Sequence, residues 1–496
     1  MNGWHSEQMG VSTENEKKSK VFSPSAWGLP SAEIKTLGQR LYQFWERYAE
    51  CFETTTRDVS HYALGFLSGL LRMTTERNFS NIARTTGESP QNVQHFMTNS
   101  PWSAQEVLQQ IREEVAQEPS FAECSALILD ESADEKASEK TVGAGRQHNG
   151  RLGKIDMSQV GTFLAYAHNG DWMWIAGELF LPEGWFTPQM AKERKRLGVP
   201  PDRKFATKVQ LGWQMIERVS SEGLHFEVVS CDTLYGRSFW LRRKLSEAHL
   251  IYCADVPVHT QVYLERPVVD IPAHLKGRRK AKPRVLSEDK PMEVRQISGL
   301  PEIFWRRIEV RATERGYLKD EFSARRVWTT QNGEQPVEEW LIMRRDGESK
   351  IHYALSNEPA EATLERLAWG KCQRVFVECA NRDAKSEIGW DELRAQKFSA
   401  WEHELALVCL ATWFMTQTKL EWRERHPRDP ELARELGVDD LPALSMANTR
   451  ELLRAAIPLP QLTVEGATDL VIEHLINRTR SRKSRLKTLG HKHSPT

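Results

Sequence analysis

Asp130, Asp232 and Glu378 are the residues whose types and placement could do chemistry in this chain. Each aspartate closes a short apolar run that reads as a buried strand, and the glutamate lies on a later helix-patterned stretch. If the two strands are neighbours, three carboxylates converge. Left alone, converging carboxylates repel one another; a bound cation removes that cost and an apolar core does not. Hard divalent cations prefer oxygen ligands, and Mg²⁺ takes only one or two carboxylates each. Two such ions, typically about 3.5–4 Å apart, can activate an attacking water and stabilise the leaving oxygen of a phosphodiester. Residues 372–387 read CQRVFVECANRDAKSE, with Arg374, Glu378 and Lys385 four and seven residues apart. That spacing puts all three on one face of a single helix, where the two cations could neutralise phosphates beside the glutamate. The bland reading of each residue is a strand-end cap for the aspartates and a surface ion pair for Glu378.

The elements that must position these groups follow from patterning. SALILD, ending in Asp130, reads as a buried strand. SQVGTFLAYAHNGDWMWIAGELFLP reads as two strands joined by an Asn-Gly turn. Thr207–Ser221 is an amphipathic helix with Val209, Trp213, Ile216 and Val219 inward. HFEVVSCD, ending in Asp232, is another strand; SFWLRRKLSEA is a helix and HLIYCADV a fifth strand. Three strands, then helix, strand, helix, strand is the order of a ribonuclease H-like α/β fold, in which the first and fourth strands lie side by side. On that reading Asp130 and Asp232 are neighbours. Glu131 adjoins Asp130, but successive strand residues point to opposite faces, so only one of the pair would serve unless the strand has ended.

The remaining chain divides by composition. Residues 1–30 are polar and expected to be disordered. Residues 31–118 are helical and carry Ala83, Gly87 and Val93 at a spacing that suits a helix-turn-helix, with Ser89 capping the second helix and Pro90 in its first turn. The catalytic core would run over 119–258 and 356–425. Between its two parts, 259–355 alternates as a β-rich insertion carrying Trp305, Trp328 and Trp340, of which Trp328 is the candidate for stacking an unpaired base. Residues 426–496 hold one helix, capped by Asn448 three before Glu451, and a basic tail with Arg478, Arg480, Arg482, Lys483, Arg485 and Lys487.

Bulk properties bound the function. The chain has 496 residues, 68 basic against 68 acidic, so any nucleic-acid partner must be held by local patches. There is no apolar signal core and no run of transmembrane length, which predicts a cytoplasmic protein with no membrane partner. The seven cysteines form no CxxC pair; Cys124, Cys231, Cys253 and Cys409 sit in apolar runs and read as reduced core residues.

Several segments resemble the DDE transposases of bacterial insertion sequences, in the insertion-sequence-701 branch of the insertion-sequence-4 superfamily. LILDESADEKASEKTVGAGRQHNGRLGKIDMSQVGTFLAYA resembles the first-acid segment of that family, VVSCDTLYGRS the second, with Tyr235 and Gly236, and RVFVECANRDAK the third; HFMTNSPW resembles its N-terminal segment. The resemblance runs from about residue 35 to about residue 425, the β-rich insertion included. It implies Asp130, Asp232 and Glu378 as metal ligands and catalytic residues, with Arg374 and Lys385 at the phosphates. It further implies Mg²⁺ or Mn²⁺ as cofactor, element ends and target DNA as double-stranded partners, a homodimer on DNA, a nucleoid-associated location and cut-and-paste transposition. The alternatives are a DNA-binding regulator without catalysis and a ribonuclease H-like nuclease. Two positions depart from the family pattern: Lys371 stands where a tyrosine is usual, and Val375 where the branch has an aromatic residue.

Overall fold

The computed structural model describes residues 21–458 except 56, 137, 151, 169, 272–281, 287, 289 and 314–315, and scattered helical positions between 464 and 483. The chain separates into a compact unit, Met1–Ala456, and a second unit, Ile457–Thr496.

The first unit is built on one ten-stranded mixed sheet. Its centre is β1 (Ser125–Glu135), β3 (Lys154–His168), β4 (Asp171–Phe180), β5 (Val228–Cys231) and β6 (Tyr252–Val256), with the short β2 (Gly145–Asn149) on the outer end of β3. β4, β3 and β1 are antiparallel neighbours, and β1, β5 and β6 follow in parallel. β1 therefore lies directly beside β5. It runs five residues past Asp130, where the patterning expected it to stop. Its pairing with β5 does end there, the last partners being Leu129 and Cys231; beyond them β1 stays paired only with β3, out to Glu135. The polar tail of β1 is a strand because β3 supplies its hydrogen bonds, which an alternation pattern does not reveal.

The β-rich segment continues this sheet. β7 (Arg306–Thr313), β8 (Gly316–Thr329), β9 (Val337–Arg345) and β10 (Ile351–Ser356) pair in sequence, and β10 joins β6 antiparallel. Glu339 of β9, buried, accepts hydrogen bonds from Arg242 (2.8 Å) and from the Tyr252 hydroxyl (2.6 Å), which ties the added strands to the centre. Each of the three tryptophans carries an arginine on its ring: Arg345 on Trp305, Arg266 on Trp328 and Arg326 on Trp340.

Helices cover both faces. α1 (Leu37–Glu46), α2 (Ser60–Arg72), α3 (Phe79–Thr86), α4 (Pro90–Thr98) and α5 (Ala104–Gln117) lie in the N-terminal quarter. Gly87, at φ +73°, ends α3 in the left-handed region, and the Ser89 hydroxyl caps α4 by accepting the Asn92 N–H at 3.1 Å. These helices share a core with the later chain: Phe44 packs edge-on against Phe414, and Trp102 stacks on His403. Next come α6 (Lys208–Ser221), capped by Thr207, α7 (Phe239–Glu247), α8 (Leu364–Lys371), α9 (Val375–Arg382), the long α10 (Phe398–Arg425) and α11 (Met446–Ala456).

Three further expectations change. Residues 21–30 are not without structure: Pro24–Trp27 form a 3₁₀ turn, and Ala26 packs with Leu432 and Leu441; residues 1–20 lie outside the described residues. Asn448 does not cap α11, since Ser445 does, accepting the Asn448 N–H while the Asn448 side chain returns to Ser445. Cys124 is exposed, whereas Cys231, Cys253 and Cys409 are buried. The described positions of the second unit are helical and exposed, among them Arg478, Arg480, Arg482 and Lys483; Arg485 and Lys487 lie outside the described residues.

Candidate metal centre

The site forms where the sheet opens. Beyond Leu129 and Cys231 the parallel strands part, and crevices at the carboxyl ends of parallel strands are where such sheets bind ligands. Asp232 follows β5 directly and caps the short helix Thr233–Gly236, accepting N–H bonds from Leu234 at 2.9 Å and Tyr235 at 3.4 Å. Gly236 lets that turn seat against β6, because a Cβ there would stand 2.0 Å from the Asp255 carbonyl oxygen.

Carboxylate oxygens of Asp130, Glu131 and Asp232 all lie within 4.8 Å of one another. Both adjacent residues of β1 therefore reach the cluster, against the expectation that one would point away. They come from opposite faces. Asp130 is the register partner of Phe163, whose ring packs with Trp390 and Trp401. Leu129 abuts Gly212 of α6, and Glu131 on the same side reaches Lys208 of α6 at 3.3 Å. The gap between β1 and β5 is what allows side chains from both faces to meet.

The cluster is electrostatically unfavourable as it stands. Burial, then the Asp232 and Glu131 carboxylates, push the Asp130 pKa up to about 7. Burial and Glu131 also raise Asp232, against the N–H bonds that favour its ionised form. The donor set is all oxygen, dense in charge and half-buried, which is the chemistry a hard divalent cation requires.

The helix from the third segment is arranged differently from its pattern. It changes pitch along its length: α9 runs directly on into a π-helical stretch, Asp383–Ile388. Wider turns shift the phase, so Lys385 does not share a face with Glu378. Its ammonium points inward to β1, at 2.7 Å from Asp134 and 3.2 Å from the Ala133 carbonyl, while Trp390 donates to the same Asp134. Glu378 lies outside the carboxylate cluster; its side chain is 56% exposed and accepts from Arg374 at 2.8 Å. Arg374 is the link. Burial alone would lower its pKa, yet Asp255, Glu378, Asp130 and Asp232 together hold it above the ordinary value.

Patterning missed two participants here. Asp255 on β6 pairs with the buried Lys371 at 2.6 Å and lies 3.4 Å from Arg374. Lys371, the departure from the family pattern, therefore holds the acid that orients Arg374. The available signal was an aspartate inside the otherwise apolar run YCADV.

Over 203 residues the chain is 29% identical to the probable transposase for insertion sequence element IS701 of Microchaete diplosiphon, an alignment covering 40% of this chain and 49% of that protein. The chain thus spans about half the length of the curated relative it matches. A family model described as DDE superfamily endonuclease matches residues 47–317, a span that takes in Asp130, Glu131 and Asp232 and stops before Glu378. With more than half of its length matched, and the two aspartates of the parallel strand ends inside the match, the chain belongs to the DDE superfamily endonucleases.

Proposed function

We propose that this chain is a cut-and-paste transposase: it binds the ends of a mobile element, hydrolyses phosphodiester bonds there and joins the freed ends to target DNA. The observation that carries the reading is the meeting of Asp130 and Asp232 across the open ends of β1 and β5. The strand order β4-β3-β1-β5-β6 supports a ribonuclease H-like core. Asp130 and Asp232 would hold Mg²⁺ or Mn²⁺, which supplies charge neutralisation at the scissile phosphate and a more acidic attacking water. Glu378 would be the carboxylate that the helix adds to this site. Reaching the cluster requires it to leave Arg374, whose guanidinium is then free to face phosphate oxygens while Asp255 keeps it in place. α3 and α4, with the Ser89 cap between them, are the DNA-binding helices, and the tail arginines add sequence-independent phosphate contacts. The protein works as a dimer on two element ends, in the nucleoid; among the described residues no helix is long and apolar enough to cross a membrane.

One observation favours a second reading, a DNA-binding regulator without catalysis: Glu378 is ion-paired outside the cluster. Nicking of an element-end duplex in Mg²⁺ separates the two. Glu378→Ala should abolish nicking and spare end binding. Nicking by Glu378→Ala at the wild-type rate would remove Glu378 from the site, and failure of the wild-type protein to nick would favour the regulator.

A further inference from the structure

Beside the paired aspartates, three buried oxygens have no hydrogen-bond partner: Oε2 of Glu131, the phenol of Tyr235 and the hydroxyl of Thr162. Tyr235 and Thr162 are each 0% exposed. The three belong to one place. Thr162 stands opposite Glu131 in the β1–β3 ladder. After burial, the Glu131 carboxylate is the strongest influence on the Tyr235 phenol, and the Thr162 hydroxyl lies beside that phenol. Asp130 and Asp232 act on the same phenol. Buried polar groups nearly always find a partner, so two hydroxyls and a carboxylate oxygen left without one at a single place point to an arrangement completed by something further. The other oxygen of Glu131 accepts from Lys208 at 3.3 Å.

We propose that Glu131 is itself a ligand of the divalent-cation site, and that Tyr235 and Thr162 are positioning residues which hold its Oε2 once a cation is bound. The inference rests on the metal-site reading above and enlarges it, since the sheet then contributes three carboxylates and the helix a fourth. The hydroxyls act as outer supports, each donating to a ligand oxygen and fixing its direction. Lys208 competes for Glu131 in the metal-free protein, as Arg374 does for Glu378.

Manganese binding by the full chain, measured calorimetrically at neutral pH without DNA, tests this. Glu131→Gln, Tyr235→Phe and Thr162→Val should each weaken Mn²⁺ affinity by roughly 10-fold or more, the usual worth of ligand supports. The metal-free Tyr235→Phe and Thr162→Val proteins should melt close to wild type, because each deleted hydroxyl has at most the other as a partner to lose. Asp130→Asn is the control. If it loses Mn²⁺ while Glu131→Gln binds like wild type, Glu131 is not a ligand and only this inference falls. If Asp130→Asn also binds like wild type, the metal site falls, and this inference with it. Metal-free Tyr235→Phe or Thr162→Val melting early would assign that hydroxyl to the core and overturn its positioning role.

Discussion

The property that most distinguishes Asp130 is the pH at which it ionises. Its carboxyl is raised to about 7 by burial and by two neighbouring acids. A carboxyl raised in the folded state binds a proton that the unfolded chain does not, so the metal-free protein should gain stability as pH falls from about 7 towards the ordinary carboxylate range near 4. The same proton must leave before a cation can bind, so metal affinity should rise through neutrality. Melting the metal-free protein at about pH 5 and about pH 8 should show a loss at the higher pH that Asp130→Asn reduces by on the order of 2 °C. An Asp130→Asn protein with the wild-type pH profile would show that this carboxyl titrates normally.

At the scale of elements, what the sequence made legible was whatever had its cause nearby. α6 was expected from Thr207 and begins at Lys208 with Thr207 as its cap. β5, α7 and β6 lie within the runs that patterning marked, and Asp232 stands at the end of β5. Three features depend on distant partners and were not legible. β1 continues past Asp130 because β3 pairs with it. The added strands join the central sheet because β10 meets β6. Lys385 turns inward because a π-helical stretch follows α9 and a buried aspartate waits on β1. That last contact yields a prediction. Asp134 is only 9% exposed, and Lys385 is its ion-pair partner. Lys385→Ala should therefore cost about 3–5 kcal/mol of stability by leaving a buried charge unpaired. Chemical denaturation measures this. Unchanged stability with weakened DNA binding would instead return Lys385 to the phosphate role that its spacing suggested.

For the molecule as a whole, zero formal net charge means that DNA affinity must come from local basic segments. Arg478, Arg480, Arg482 and Lys483 of the second unit are exposed on helical backbone. Truncation after Ile476 should weaken binding to all sequences alike and flatten its salt dependence, each lost phosphate contact lowering the log–log slope by roughly 0.9. A change of sequence preference at an unchanged slope would assign the tail to base reading. The central claim, that the acids at the open end of β1 and β5 form a metal site that cuts DNA, is tested most directly by metal-dependent cleavage of a duplex carrying an element end. Wild type should cleave it in Mg²⁺ or Mn²⁺ and be silent in chelator. Asp130→Asn and Asp232→Asn should bind the duplex normally and cleave on the order of 10³-fold more slowly, the effect of losing several kcal/mol of transition-state stabilisation. Cleavage at the wild-type rate by either variant, or cleavage that persists in chelator, would contradict it.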